Sequence, residues 1–142
     1  MALMKIFIVG GGAAGFFCAI NTAIKNPEAK IYILERNSSP LAKVRVSGGG
    51  RCNLTNACEN ISDFIQNYPR GSKELYQAFH YFSPLNLIEW FEKNGLPLKS
   101  ESDKRVFPSS NSSQTVIDLF LDLIEKLNIS LLLNHKVNAI TK

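Results

Sequence analysis

Residues 4–15 read MKIFIVGGGAAG, and the fold turns on how this stretch divides. MKIFIV, residues 4–9, is a short apolar run of β-branched and aromatic side chains that stops at glycine, as a strand covered on both faces should. Ala13 to Lys25 reads as a helix. It is rich in alanine, and Phe16, Phe17, Ala19, Ile20, Ala23 and Ile24 spread far enough around it to predict packing on more than one side, with Asn26-Pro27 as its end. KIYIL at 30–34 makes a second strand, and Glu35 stands at its carboxyl end. Strand, glycine turn, helix and strand within the length of one βαβ unit predict a parallel sheet with a right-handed crossover.

Gly10, Gly12 and Gly15 fit the spacing GxGxxG. In that pattern the first glycine makes the tight turn, the second lets a pyrophosphate approach the backbone, and the third allows close contact between helix and strand. The helix begins at the turn, so its free N–H groups and positive dipole end favour an anion without a lysine; the GK[ST] signature is absent. Glu35 lies 20 residues beyond Gly15, where a carboxylate accepts hydrogen bonds from both hydroxyls of an adenosine ribose. The same charge repels a ribose phosphate and disfavours NADP, with Arg36 beside it as a counterweight. Spacing does not separate FAD from NAD. The expected contacts with the dinucleotide are Gly10, Gly12, Ala13, Ala14, Gly15, Glu35 and Arg36.

Residues 36–60 are dominated by Asn, Ser, Pro and Gly, and a connection of that length is usually functional. Within it, Ser47-Gly48-Gly49-Gly50-Arg51-Cys52-Asn53-Leu54-Thr55-Asn56 offers exposed backbone N–H groups and one fixed cation. Asn53, Thr55 and Asn56 add donors and acceptors suited to the polar edge of a flavin or its ribityl chain. The alternation of Lys43 and Arg45 places two cations on one face of an extended segment, fit for a phosphate or for solvent. Cys52, next to Arg51 and the glycines, has surroundings that lower a thiol pKa, and Cys58 follows after five intervening residues, so a redox pair is an alternative reading. Cys52 as a small packing residue is the plainer one. Cys18 reads as core, His80 as a partly buried packing residue and His135 as the start of a strand.

Further along, helices are expected over 72–81 and from Pro84 to the Gly95 stop, a short hairpin over 98–101 and 105–107, and a third helix over 114–127. The apolar stripe of that last helix is Val116, Leu119, Phe120, Leu123 and Leu127. Residues 129–133 are a candidate third parallel strand, and 136–140 alternate as a strand open on one face. The chain of 142 residues is 45% hydrophobic and 20% charged, enough for a folded core without staples. Three cysteines without a CxxC pair and two histidines disfavour a disulfide framework or zinc site, so no metal and a reducing, cytoplasmic setting are expected. A net charge of +4 is too small and scattered to mark a nucleic-acid surface. Gly10, Gly11, Gly12 and Gly15 interrupt the apolar run behind Lys5, which disfavours a secretory signal or membrane span. The expected partner is a small-molecule substrate.

VGGGAAG at 9–15, ER at 35–36, KVRVSGGGRCNLTN at 43–56 and RVFPSSNSSQTV at 105–116 together resemble the bacterial aminoacetone-oxidase-like family of NAD(P)/FAD-dependent oxidoreductases, which includes a dehydro-bile-acid reductase. The resemblance implies a flavoprotein whose Rossmann-type FAD domain is interrupted by insertions. The first glycine turn and Glu35 would hold the ADP half of FAD, and Ser47–Asn56 would lie along the pyrophosphate and flavin. Lys43 and Val137 join the expected cofactor-binding set. The family usually carries glycine where this chain has Lys104, which puts that local turn in question. It also implies later flavin-binding segments that do not occur here, hence an N-terminal fragment with one sheet edge unpaired and weak flavin retention alone. The expected organisation is α/β: residues 1–60 as βαβ unit plus glycine loop, 61–111 as a mostly helical insertion, and 112–142 as a return to the FAD domain. The function implied is flavin-mediated hydride transfer, with NAD(P)H as reductant and no catalytic side chain assigned. A non-catalytic dinucleotide-binding module is the other class of answer.

Overall fold

In the computed structural model, which describes residues 4–141, the chain divides into two compact units, residues 1–46 with 116–142 and residues 47–115. Ser47–Asn56, expected with the first βαβ unit, thus belong to the second.

The first unit is built on a parallel sheet of β1 (Lys5–Val9), β2 (Lys30–Leu34) and β6 (Ser130–Leu132), with β2 in the centre. Ile6 and Ile8 lie opposite Ile31 and Ile33, and Phe7 and Val9 opposite Tyr32 and Leu34. The isoleucine face is covered by α1 (Ala13–Lys25), which buries Phe16, Ala19, Ile20 and Ala23. Those residues repeat at i, i+3, i+4, i+7, so α1 packs along one face, and the expected burial on several sides is corrected: Ile24 is 57% exposed. Full burial of Phe16 and Ile20 is worth about 1.5–3 kcal/mol each. Phe16 meets Phe120 of α6 (Ser113–Lys126) with ring centroids 5.8 Å apart.

The buried line of α6 is Val116, Ile117, Phe120 and Ile124, rotated from the predicted stripe, with Leu119, Leu123 and Leu127 only half-buried. β1 is likewise not covered on both faces. Phe7 stacks on Tyr32 at 4.9 Å but remains 57% exposed, and Val9 59% exposed, because α1 covers the isoleucine face and not theirs. The strand expected at 136–140 does not form. Asn134 takes a left-handed φ of 58°, its N–H donates to Asn37 O, and that of His135 donates to Glu35 O, so the chain turns alongside the loop that follows β2.

The second unit carries an antiparallel sheet in which β5 (Arg105–Pro108) lies between β3 (Thr55–Asn56) and β4 (Leu98–Ser100). The β4–β5 hairpin was expected; β3, inside the glycine-rich segment, was not. Lys104 adopts φ 65° and still closes the turn, with its N–H donating to Glu101 O and its carbonyl accepting from Ala57 N. α3 (Ile61–Ile65) is capped by Asn60, whose side chain accepts from Ser62 N and Asp63 N. α4 (Ser72–Tyr81) joins α3 through a cluster of Phe64, Tyr68 and Phe79. α5 (Pro84–Lys93) begins with a capping box of Ser83 and Asn86, buries Phe91 and packs on β3 and β4. His80 is exposed, not partly buried: its Nδ1 lies 2.8 Å from Tyr76 O and its ring against the Tyr76 ring.

Candidate functional site: a glycine turn and a clamped carboxylate

Glycine ends β1 because the backbone must turn there with φ 108° at Gly10, a conformation that L side chains avoid. The turn is pinned to the neighbouring strand by Gly10 N–H donating to Leu34 O at 2.8 Å. Gly15 has a different reason to be glycine: a Cβ there would overlap the carbonyl oxygen of Gly10, so its absence lets α1 start against the end of β1. Gly12 is the N-cap of α1, has no capping side chain, and has no atom within 4 Å of where a Cβ would stand. The first turn of α1 also lacks an acidic residue, leaving its dipole end and N–H groups open.

Glu35 is 8% exposed and held by three hydrogen bonds. Gly11 N–H donates to Oε2 at 2.7 Å, while the backbone N–H and side-chain Nδ2 of Asn37 donate to Oε1 at 2.8 and 2.7 Å. The Asn37 backbone bond does most to hold the carboxyl below its ordinary pKa; burial opposes it, and the Gly11 bond, the Asn37 amide and the Arg36 charge add to it. Gly11 is glycine for lack of room, since a Cβ would sit 2.9 Å from Glu35 Cβ.

These groups line one cavity of about 560 Å³. Of the residues expected at the cofactor, Gly10, Gly12, Ala13, Glu35, Arg36, Lys43 and Val137 line it. Ala14 and Gly15 do not. Lys43 and Arg45 lie on α2 (Ala42–Val46), so the extended reading of that segment is corrected. Leu41, buried with φ 58°, precedes α2 and donates its N–H to Gly11 O at 2.8 Å, tying α2 to the glycine turn. Sequence reasoning missed Gly11, Asn37, Leu41, His135 and Lys136, which line the cavity as well. A glycine at the second motif position, and an Asn two residues past the acid, were the available signals.

In the second unit, Gly48, Gly49 and Gly50 all have left-handed φ values of 56°, 67° and 84°. At Gly48 a Cβ would come within 2.8 Å of Asn53 N, whereas Gly49 and Gly50 have open space. Arg51 lies over the Phe107 ring, 4.0 Å from its centroid, and pairs with Glu101 at 2.6 Å. Asn53, with its amide nitrogen turned toward the sheet, donates to Thr55 O and Val106 O, and Asn56 Nδ2 donates to Asp103 O at 3.3 Å. Thr55 pairs with Val106 across the β3–β5 ladder. Cys52 is 5% exposed, and burial pushes its thiol pKa up against a smaller opposing bond from Ser47. The lowered pKa expected there is therefore corrected, and with it the support for a reactive Cys52–Cys58 pair; Cys18 is exposed, not core.

A parallel strand-turn-helix-strand unit, with a glycine turn at one strand end and an acid at the next, defines a Rossmann-type α/β domain. The chain belongs to the family described as HI0933-like protein Rossmann domain, whose model matches residues 4–142. It is 29% identical over 96% of its length to the 3-dehydro-bile acid delta(4,6)-reductase of Clostridium scindens, and 27% identical over its whole length to the ribosomal RNA dihydrouridine synthase of Escherichia coli. It spans about a third of each, 32% and 34% respectively. The crystal structure of THI4 from Thermovibrio ammonificans shares the fold, with a TM-score of 0.59 at 11% identity over 92% of this chain and 37% of that one. Among the described residues, no helix is long and apolar enough to cross a membrane.

Proposed function

We propose that this chain binds the ADP half of FAD and serves a flavin-dependent oxidoreductase. The observation that carries the reading is the coincidence, in one cavity, of the open Gly12 turn with an uncapped helix N-terminus and of a buried, ionised Glu35. A diphosphate takes the place that a Cβ at Gly12 would fill, and the N–H groups of α1 supply its donors. Glu35 accepts from the adenosine ribose, and Arg36, Lys43 and Lys136 put positive charge on the same walls. Val137 lines the same cavity as Glu35, and for Ser47, Gly48, Gly49, Gly50, Arg51, Cys52, Asn53, Thr55 and Asn56 of the second unit a contact with the flavin is proposed from the resemblance alone. The flavin, when bound, supplies hydride transfer; the protein orients it and excludes water. NAD(P)H is the reductant in this reading.

The names of the two relatives support a reductive role, since reducing a delta(4,6) bile acid and making dihydrouridine both add hydrogen to a carbon–carbon double bond. The proposed substrate is a small unsaturated ring compound, acted on in the cytoplasm. To test the reading, FAD is titrated into the purified chain with flavin fluorescence as the readout, and the complex is mixed anaerobically with NADH or NADPH. Saturable binding that Gly12→Val abolishes, followed by bleaching of the flavin bands, is expected. Binding of ADP-ribose without FAD would replace the redox reading by a dinucleotide-binding module, and failure of both ligands would refute the assignment of the cavity.

A further inference from the structure

Glu35 has no freedom to choose its own orientation. An ionised carboxylate offers about four acceptor positions; two on Oε1 are taken by Asn37 N and Nδ2, and one on Oε2 by Gly11 N. The Gly11 donor is a backbone N–H of the turn itself and does not depend on the side chain at position 37. The Asn37 pair comes from the loop that follows β2, and that loop is fixed by Asn134 N–H donating to Asn37 O at 3.1 Å and His135 N–H to Glu35 O at 2.8 Å. What remains for a ligand is acceptor capacity on Oε2, and Gly11, Glu35 and Asn37 all line the cavity.

We propose that Asn37 is a positioning residue for nucleotide recognition: by occupying Oε1 twice, it locks the Glu35 carboxylate so that Oε2 alone faces a ribose hydroxyl and a ribose phosphate meets a charge that cannot swing aside. The proposal rests on the dinucleotide reading above and deepens it. A carboxylate free to rotate would relax away from a 2′-phosphate and let Arg36, Lys43 or Lys136, which line the same cavity, take the anion. The lock therefore sets selectivity as well as affinity. Among the described residues, the charged and titratable groups that line the cavity with Glu35 are those three cations and His135.

Two variants separate positioning from simple structural support. Asn37→Ala keeps the backbone bond and loses Nδ2; Asn37→Asp keeps the shape and replaces the donor by an acceptor. Carbon-detected NMR of the labelled full chain follows the titration of the Glu35 carboxyl and the Gly11 amide shift, and calorimetry measures ADP-ribose and its 2′-phosphorylated form. Expected are an upward shift of the Glu35 titration, larger for Asn37→Asp, about a tenfold loss of ADP-ribose affinity for Asn37→Ala, and a narrowed preference over the 2′-phosphate. An unmoved Glu35 titration and an unchanged ligand preference in a folded Asn37→Ala would overturn the proposal. Should the variants not fold, slowed exchange of the Asn37 side-chain amide protons in the unaltered chain, lost as Glu35 protonates, is the expected result, and rapid exchange the contrary one. Failure of ADP-ribose to bind the unaltered chain sinks the dinucleotide reading alone, since the Glu35 titration is read without ligand.

Discussion

Replacing Gly15 by alanine sets two effects against each other, and the structure decides between them. Alanine is the better helix former by about 1 kcal/mol, so a surface reading of α1 predicts stabilisation. The added methyl, however, overlaps the carbonyl oxygen of Gly10 and comes to 3.2 Å from its carbon and 3.6 Å from Ile8 Cγ2. The obstacle is backbone, and Gly10 is itself bonded to Leu34 O at 2.8 Å, so neither partner moves without disturbing the β1–β2 ladder. Overpacking of this kind costs about 1–3 kcal/mol; taking the upper end for a rigid neighbour and subtracting the propensity gain leaves a net loss of about 2 kcal/mol. For a chain of this size that lowers Tm by roughly 4–8 °C, measured by circular dichroism on heating. Gly12→Ala is the control: its methyl meets open space, so only the modest N-cap preference for glycine over alanine is lost, and its Tm should fall by clearly less than that of Gly15→Ala. A Gly15→Ala protein that melts at or above the parent temperature would refute the reasoning.

Three further outcomes are expected. Glu35 has a lowered folded-state pKa, so its contribution to stability is fully present above the unfolded pKa and is lost as pH falls through the folded value; urea midpoints should fall below the ordinary carboxylate range, and Glu35→Gln should flatten that acid limb. Lys104→Gly relieves a left-handed residue at φ 65° and, after the entropy cost of glycine, should stabilise by about 0.5–1 kcal/mol, visible as a higher Tm. Thiol titration at neutral pH should label the exposed Cys18 and the half-buried Cys58 ahead of Cys52, whose burial both shields the thiol and disfavours the thiolate; equal rates for all three would contradict its placement.

The βαβ unit was legible because its signals are local: an apolar run, a glycine spacing, a helix stop at Asn26-Pro27 and an acid at a strand end. The same holds for α5, where Ser83-Pro84 fixes the start within a residue. What was not legible depends on contacts far apart in sequence. The exposed side of β1 follows from which face α1 covers, and the absence of a strand at 136–140 from bonds to Glu35 and Asn37 a hundred residues earlier. β3 escaped notice because two residues with no alternation carry no strand period; it exists through its pairing with Val106 and Arg105. In the candidate site the motif residues were readable, whereas Asn37 and Leu41 act through geometry: one bonds the acid, and the other holds a left-handed backbone that ties α2 to Gly11. Cys52 was misjudged because neighbours in sequence suggested charge where the fold supplies burial.

Whether a dinucleotide rests at the turn between β1 and α1 is read from amide shift mapping of the 15N-labelled chain during titration with FAD. Saturable shifts are expected at Gly10 to Ala14 and at Glu35 to Asn37, absent in Gly12→Val. Saturating FAD that leaves those amides in place, or that moves them equally in Gly12→Val, would contradict that placement.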